Sequence, residues 1–233
     1  MASVVGTVYL LPNPGSAPVL GVVLLLVSAV LVRQFLVVSE NRRLLVMMAD
    51  QALHDPLTGL ANRTLFHDRL THALQSRNRD PGVLAVLLLD LDDFKLVNDR
   101  LGHQAGDTLL IGVAERILGC LRTSDTVARL GGDEFAILIE GADPPSVVAN
   151  RVIDIFDEPF TIDGQELLIR PSVGLAVAST EDPGVSADGL LKQADVAMYS
   201  AKRAAAGGVH TFTPDMQLSD IKKLDLPREQ NGR

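Results

Sequence analysis

The chain has 233 residues, enough for one domain of ordinary size plus an appendage, and a formal charge of -8. That acidity argues against broad binding to nucleic acid, which needs cations to displace phosphate counterions, but it is compatible with a nucleotide whose triphosphate is neutralised by bound metal. The single cysteine, Cys120, excludes an intramolecular disulfide framework and a Cys-based zinc site, and its apolar, helix-like neighbours Ile117, Leu118 and Leu121 make it a buried bystander.

No charged residue or histidine precedes Arg33, so the whole net charge belongs to residues 33–233. Ala17–Val32 is uncharged, and apolar character continues through Phe35 to Val38. Ala17–Val38 therefore supplies the roughly 20 residues a membrane span needs, with Arg33 near the end where it snorkels to the interface. The cationic n-region of a cleaved signal peptide is missing. Arg33, Arg42 and Arg43 all follow the run, so the positive-inside rule puts the remainder in the cytoplasm of a single-pass, inner-membrane protein. A buried helix of a soluble protein meets the same composition. Val4–Leu11 is apolar but too short to cross alone.

Arg33–Ala52 contains no Gly or Pro and reads as one helix. Val38, Asn41, Leu45, Met48 and Ala52 recur at spacings of 3 and 4, the seam of a short parallel coiled coil, although a plain amphipathic connector fits equally well. From His54 the pattern changes to alternating helix and strand. A turn-rich break at Asp55–Leu60 leads into a helix over Arg63–Ser76. Val83–Leu91 is a continuous apolar run ended by acids, as in a strand buried on both faces. Ala105–Leu121 carries a helical stripe. Val127–Leu130 and Phe135–Ile139 form a hairpin with Gly131 and Gly132 at its turn. Then come a helix over Ser146–Phe156, strands at Phe160–Ile162 and Leu167–Ala178, a helix over Ala187–Ala206 and a last strand at Val209–Phe212. The expectation is an α/β domain with one central sheet.

Two acidic clusters lie at strand ends, Asp90-Leu91-Asp92-Asp93-Phe94-Lys95 and Gly131-Gly132-Asp133-Glu134-Phe135. Carboxylates without intervening cations raise one another's pKa, and a divalent cation between the clusters relieves that repulsion. Mg²⁺ takes one or two carboxylates completed by substrate phosphates. Two solvated acidic turns would account for either cluster alone. The glycines favour close approach of backbone to a bulky ligand.

These segments carry a resemblance. Asp55-Pro56-Leu57-Thr58-Gly59-Leu60-Ala61-Asn62-Arg63 resembles the opening signature of GGDEF domains. Asp90 to Asp99, followed by Gly102-His103 and Gly106-Asp107, resembles the family's metal and guanine segment. Arg129 to Phe135 holds the name motif, and Ala194 to Lys202 resembles the closing helix. All four occur in the family's order and spacing. The resemblance implies a fold like the palm of nucleotidyl cyclases and polymerases, α/β (α+β) with a mainly antiparallel central sheet, preceded here by a transmembrane helix. It divides the chain into an apolar segment with the span (1–38), a connecting signalling helix (39–53), the GGDEF domain (54–214) and a polar tail (215–233).

The activity so implied is that of a diguanylate cyclase, which condenses two GTP into cyclic di-GMP with Mg²⁺ or Mn²⁺. Carried over residue by residue, Asp90, Asp133 and the main-chain carbonyl of Leu91 are metal ligands. Asp133 or Glu134 takes the proton from the attacking 3′-hydroxyl. Asn98 and Asp107 read the guanine edge, with His103 beside them at the substrate. Main-chain N–H groups of Asp93 and Phe94, with the ammonium groups of Lys95 and Lys202, hold phosphates. One domain holds one GTP, so a symmetric homodimer is part of the mechanism. Arg122-Thr123-Ser124-Asp125 stands where the family has its product-inhibition site, with Arg122 on phosphate or guanine and Asp125 on a guanine edge. As a sequence alone, the same tetrad is a helix C-cap with a surface Arg.

Two departures stand out. Many family members carry Gly-Arg-Asn-Arg after the closing helix, whereas this chain has Ala205-Ala206-Gly207-Gly208, with Ala206 in place of a phosphate-binding Arg. A lost charge-assisted contact costs roughly 1.5–3 kcal/mol, which predicts a slow cyclase. It also keeps open a second reading, a catalytically weak module that senses GTP or cyclic di-GMP. Met216–Arg233 resembles the linker that leads into a phosphodiesterase (EAL) domain in composite relatives. The expectation is a polar tail, disordered in its last stretch, with no hydrolase domain.

Overall fold

The structure, a computed structural model, describes residues 17–77, 82–141, 143–178, 184–204 and 208–216. The chain forms two compact units, Met1–Ala52 and Leu53–Arg233. The first is built on one helix, α1 (Ala17–Leu53), which continues through the junction between the apolar run and the connector. Among the described residues, Gly21–Glu40 is the one helical stretch long and apolar enough to cross a membrane, and its Val, Leu and Phe side chains from Val22 to Val38 are exposed. The seam positions Asn41, Leu45, Met48 and Ala52 lie outside the described side chains.

The second unit has a five-stranded sheet in the order β2-β3-β1-β6-β7, from strands Val83–Leu91 (β1), Thr126–Gly131 (β2), Glu134–Gly141 (β3), Pro171–Val177 (β6) and Gly208–Thr211 (β7). All pairings are antiparallel except β6 with β7. Strand parity sorts its two faces. Ala85, Leu87, Leu89 and Leu91 of β1, with Phe135 and Ile137 of β3, pack under the helices α3 (Phe94–Leu101), α4 (His103–Cys120) and α5 (Pro145–Asp154). Leu84, Val86 and Leu88, with Ala136 and Leu138, face α2 (Arg63–Arg77) and α6 (Ala187–Ala204). Covered on both faces, β1 is buried along almost its whole length, as its unbroken apolar run requires.

The structure alters four expectations. Residues 94–101 form a helix, α3, that the hydrophobic pattern conceals: only Val97 is buried, while Leu96 and Leu101 face outward. The strand expected over Leu167–Ala178 is divided. Gln165–Leu167 (β5) pairs with Phe160–Ile162 (β4) in a separate two-stranded ribbon, and β6 begins only at Pro171, a residue suited to the first position of a strand. The hairpin closes through Gly132 and Asp133, since Gly131 already pairs with Glu134 and a bulge lies between Arg129 and Gly131. Gly132 has φ 55°, which favours glycine. Cys120 is half-buried against the core, with its sulfur 3.2 Å from the Ile117 carbonyl and its thiol pKa pushed up by burial.

Candidate active site

Asp90 is the last even-numbered residue of β1, so its side chain emerges on the α6 side of the sheet. It stands in register with Glu134 of β3 and Ser172 of β6. The ammonium of Lys202, from the last turn of α6, lies 2.6 Å from Asp90 Oδ1. Asp133 sits in the turn next to Glu134, and its carbonyl accepts a bond from the Leu91 N–H at 3.4 Å. The two acidic clusters of the sequence therefore meet at one end of the sheet.

The electrostatics follow from that meeting. Burial, then the charge of Asp90, raises the pKa of Asp133. Glu134 is also raised, chiefly by burial and further by Asp90, Asp195 and Asp133. Arg63 opposes this from 3.4 Å, but both side chains of that pair are substantially exposed, so burial outweighs it. Burial lowers the pKa of Lys202, yet its bond to Asp90 and the nearby Asp92 and Asp133 prevail and raise it. Among the described residues no three His, Cys, Asp or Glu side chains converge closely enough to hold a cation unaided. Asp90, Asp133 and the Leu91 carbonyl are oxygen donors of the kind a hard cation accepts alongside phosphate oxygens and water. The ammonium of Lys202 already supplies positive charge there.

Beyond β1 the backbone turns at Asp93, which adopts the left-handed conformation (φ 60°, ψ 16°) just before α3. Asp tolerates this region better than most residues. Asp92 is anchored twice, by its N–H to the Arg170 carbonyl at 2.9 Å and by its carboxylate to the Ser172 hydroxyl at 2.8 Å. Asn98, on α3, lies against Gly106 of α4. A Cβ built on Gly106 would overlap Asn98 Oδ1 and stand 3.2 Å from Phe94 Cζ. Asp107 follows Gly106 and is exposed, as are Lys95 and His103. Two open cavities flank the sheet end. One of about 310 Å³ has Arg63, Glu134, Lys192 and Asp195 on its walls. Another, of about 590 Å³, is walled by Asp92, Asp93, Arg170, Ser172 and Lys202.

Two arginines carry more than the sequence revealed. Arg129 donates from Nε and Nη2 to the Gly132 carbonyl, at 3.0 and 2.8 Å, and from Nη1 to both oxygens of Asp55, at 3.1 and 3.2 Å. Burial raises the pKa of Asp55, but bonds from the Thr58 hydroxyl and N–H together with Arg129 outweigh it and hold the carboxyl below its ordinary value. Arg151 of α5 is the other. Its Nε and Nη2 are buried without a hydrogen-bond partner, and it acts electrostatically on Cys120, as does Asp125. The local sequence around Arg151 carries no sign of those two buried nitrogens.

Arg122 and Asp125 form a tight turn between α4 and β2. The Arg122 N–H donates to Asp125 Oδ2 at 3.1 Å, and the Asp125 N–H donates back to the Arg122 carbonyl at 3.0 Å. The Arg122 guanidinium is exposed and pairs with Asp143 at 2.9 Å. Ala206 and residues 217–233 of the tail lie outside the described residues.

Comparison with known proteins finds relatives of one kind. The family described as "Diguanylate cyclase, GGDEF domain" matches residues 52–207. The bifunctional diguanylate cyclase/cyclic di-GMP phosphodiesterase MucR of Pseudomonas aeruginosa is 43% identical over 188 residues, covering 80% of this chain and 27% of MucR. The diguanylate cyclase TpbB of the same organism is 47% identical over 165 residues, covering 69% of this chain and 37% of TpbB. The chain thus spans little more than a third of these relatives at most. The crystal structure of the coiled coil and GGDEF domain of DgcB from Caulobacter crescentus, in complex with c-di-GMP, superposes with a TM-score of 0.72 at 30% identity, over 79% of this chain and 98% of that one.

Proposed function

The chain belongs to the GGDEF family of diguanylate cyclases, and on that premise we propose that its globular unit condenses two GTP into cyclic di-GMP and two pyrophosphates. The observation that supports this most is the register of Asp90 with Glu134, which sets Asp90, Asp133 and Glu134 at one sheet end beside Lys202. In each half-reaction the 3′-oxygen of one GTP forms a bond to the α-phosphorus of the other, and the bond to the bridging oxygen of pyrophosphate breaks. The 3′-hydroxyl proton passes to Asp133 or Glu134, whose raised pKa values suit a proton acceptor. Asp90, Asp133 and the Leu91 carbonyl would hold Mg²⁺ or Mn²⁺, which supplies neutralisation of the charge that develops on the phosphates. Asn98 and Asp107, with His103 nearby, bind guanine. The N–H groups of Asp93 and Phe94, with Lys95 and Lys202, bind phosphates.

Two such units must face each other, so the active species is a homodimer. Gly21–Glu40 anchors it in the lipid of the inner membrane with the cyclase in the cytoplasm. Arg122 and Asp125 bind cyclic di-GMP as a feedback inhibitor. The test is full-length protein in detergent, incubated with GTP and Mg²⁺. Cyclic di-GMP and pyrophosphate are expected, and Asp133→Ala should abolish both. Retained nucleotide binding without any product would instead establish the second reading, a GTP or cyclic di-GMP sensor, which Ala206 favours.

A further inference from the structure

We infer that Arg170 supplies the triphosphate-binding cation that position 206 lacks, an assignment that rests on the GTP reading above. Arg170 stands in the short connection between β5 and β6, on the wall of the 590 Å³ cavity that also holds Asp92, Asp93 and Lys202. That cavity is the space bounded by the left-handed turn into α3 on one side and by α6 on the other, where the phosphates are assigned. Acids crowd it. Lys202 is held 2.6 Å from Asp90, so part of its charge is already spent on a carboxylate. The Arg170 guanidinium is exposed and makes no hydrogen bond or ion pair among the described residues.

Its base, in contrast, is fixed. The Arg170 carbonyl accepts from the Asp92 N–H at 2.9 Å, and Pro171 restricts the backbone of the residue before it. A flexible side chain therefore projects from a rigid point on the same loop pair that orders Asp92 and Asp93. A guanidinium presents a planar fork that matches two phosphate oxygens, and an unpaired one gives up no existing partner on binding. Arg170 brings its charge to the cavity that Lys202 also lines.

The test uses the full chain in detergent with Mg²⁺ and two probes that do not turn over, α,β-methylene-GTP and guanosine. Arg170→Ala should weaken the triphosphate analogue about tenfold, the loss of one charge-assisted contact, and leave guanosine within about twofold. Arg170→Lys should fall between, because the ammonium keeps the charge and loses the fork. Adding Ala206→Arg to Arg170→Ala should restore the affinity. Unchanged binding of the analogue in Arg170→Ala overturns the inference. So does an equal loss for analogue and guanosine, which would mark a structural role. Failure of the wild-type chain to make cyclic di-GMP would refute the cyclase reading alone, since neither probe reacts.

Discussion

Arg129 fixes the turn that carries Asp133, and its removal should loosen that turn and the start of the globular unit together. The guanidinium makes two contacts to the Gly132 carbonyl and two to Asp55, and the Arg129 and Asp55 side chains are only 12% and 17% exposed. Arg129→Ala leaves a mostly buried carboxylate without its cation and a turn carbonyl without its donors. Thr58 still bonds Asp55, so the loss is below that of a wholly orphaned charge, about 2–4 kcal/mol. For a unit of this size that is roughly 5–15 °C in Tm. Arg129→Lys reaches only one of the two partners and should recover less than half. The sign with pH is set by Asp55. Its folded pKa is lowered from 3.8, so its contribution is complete above pH 3.8 and is lost as pH falls through the folded value. The gap between wild type and Arg129→Ala should therefore close in acid. Thermal unfolding of the full chain in detergent, with Asp55→Ala and the double variant, measures the coupling. Additive losses, with coupling under about 0.5 kcal/mol, would refute the clamp.

Gly106→Ala should drive Asn98 away from its place over α4 and raise KM for GTP at least about tenfold. Activity with unchanged KM would show that Asn98 does not read the base. Because burial and Asp90 raise the pKa of Asp133, Mg²⁺ binding there should displace protons and weaken as pH falls through that raised value. Calorimetry across the acid range, in buffers of different ionisation enthalpy, detects that release, and its absence would remove Asp133 from the metal site. Arg122→Ala should raise the inhibition constant for cyclic di-GMP at least about tenfold with the initial rate preserved, and unchanged inhibition would place feedback elsewhere.

The sequence disclosed what is periodic or contiguous. The apolar run of β1 placed Asp90 at a strand end, the stripe of α4 placed Asp107 near its start, and the contiguous motif at 131–135 placed Asp133 in a hairpin. It concealed what depends on outward-facing apolar residues or distant pairs. Helix α3 escaped notice because its leucines face away from the core. The pair Lys202–Asp90 joins residues 112 positions apart, and Arg129–Asp55 joins residues 74 apart, so neither leaves a local trace. The break at Leu168–Arg170 also looked like uninterrupted strand, although Pro171 marks where the second strand begins.

Those distant pairs bear on how the site is held before substrate arrives. Asp90 is fixed by the sheet and neutralised from α6. Asp133, by contrast, lies in a two-residue turn, and the strand ladder alone does not hold such a tip. A neighbouring strand and a side chain do so: the Leu91 N–H of β1 bonds the Asp133 carbonyl, and the Arg129 guanidinium, reaching over from β2, bonds the Gly132 carbonyl. The weaker of these, at 3.4 Å, ties the tip to Asp90's own strand. Arg129 ties it to Asp55, in the segment where Asp55 N–H bonds the Leu60 carbonyl and Arg129 N–H bonds the Ala61 carbonyl. The distance between the two acids is thus set by the first ten residues of the globular unit as well as by the sheet. Phosphoryl transfer relies on positioning and charge neutralisation, so a shift of Asp55 that moved Gly132 would alter turnover without touching any group that binds GTP.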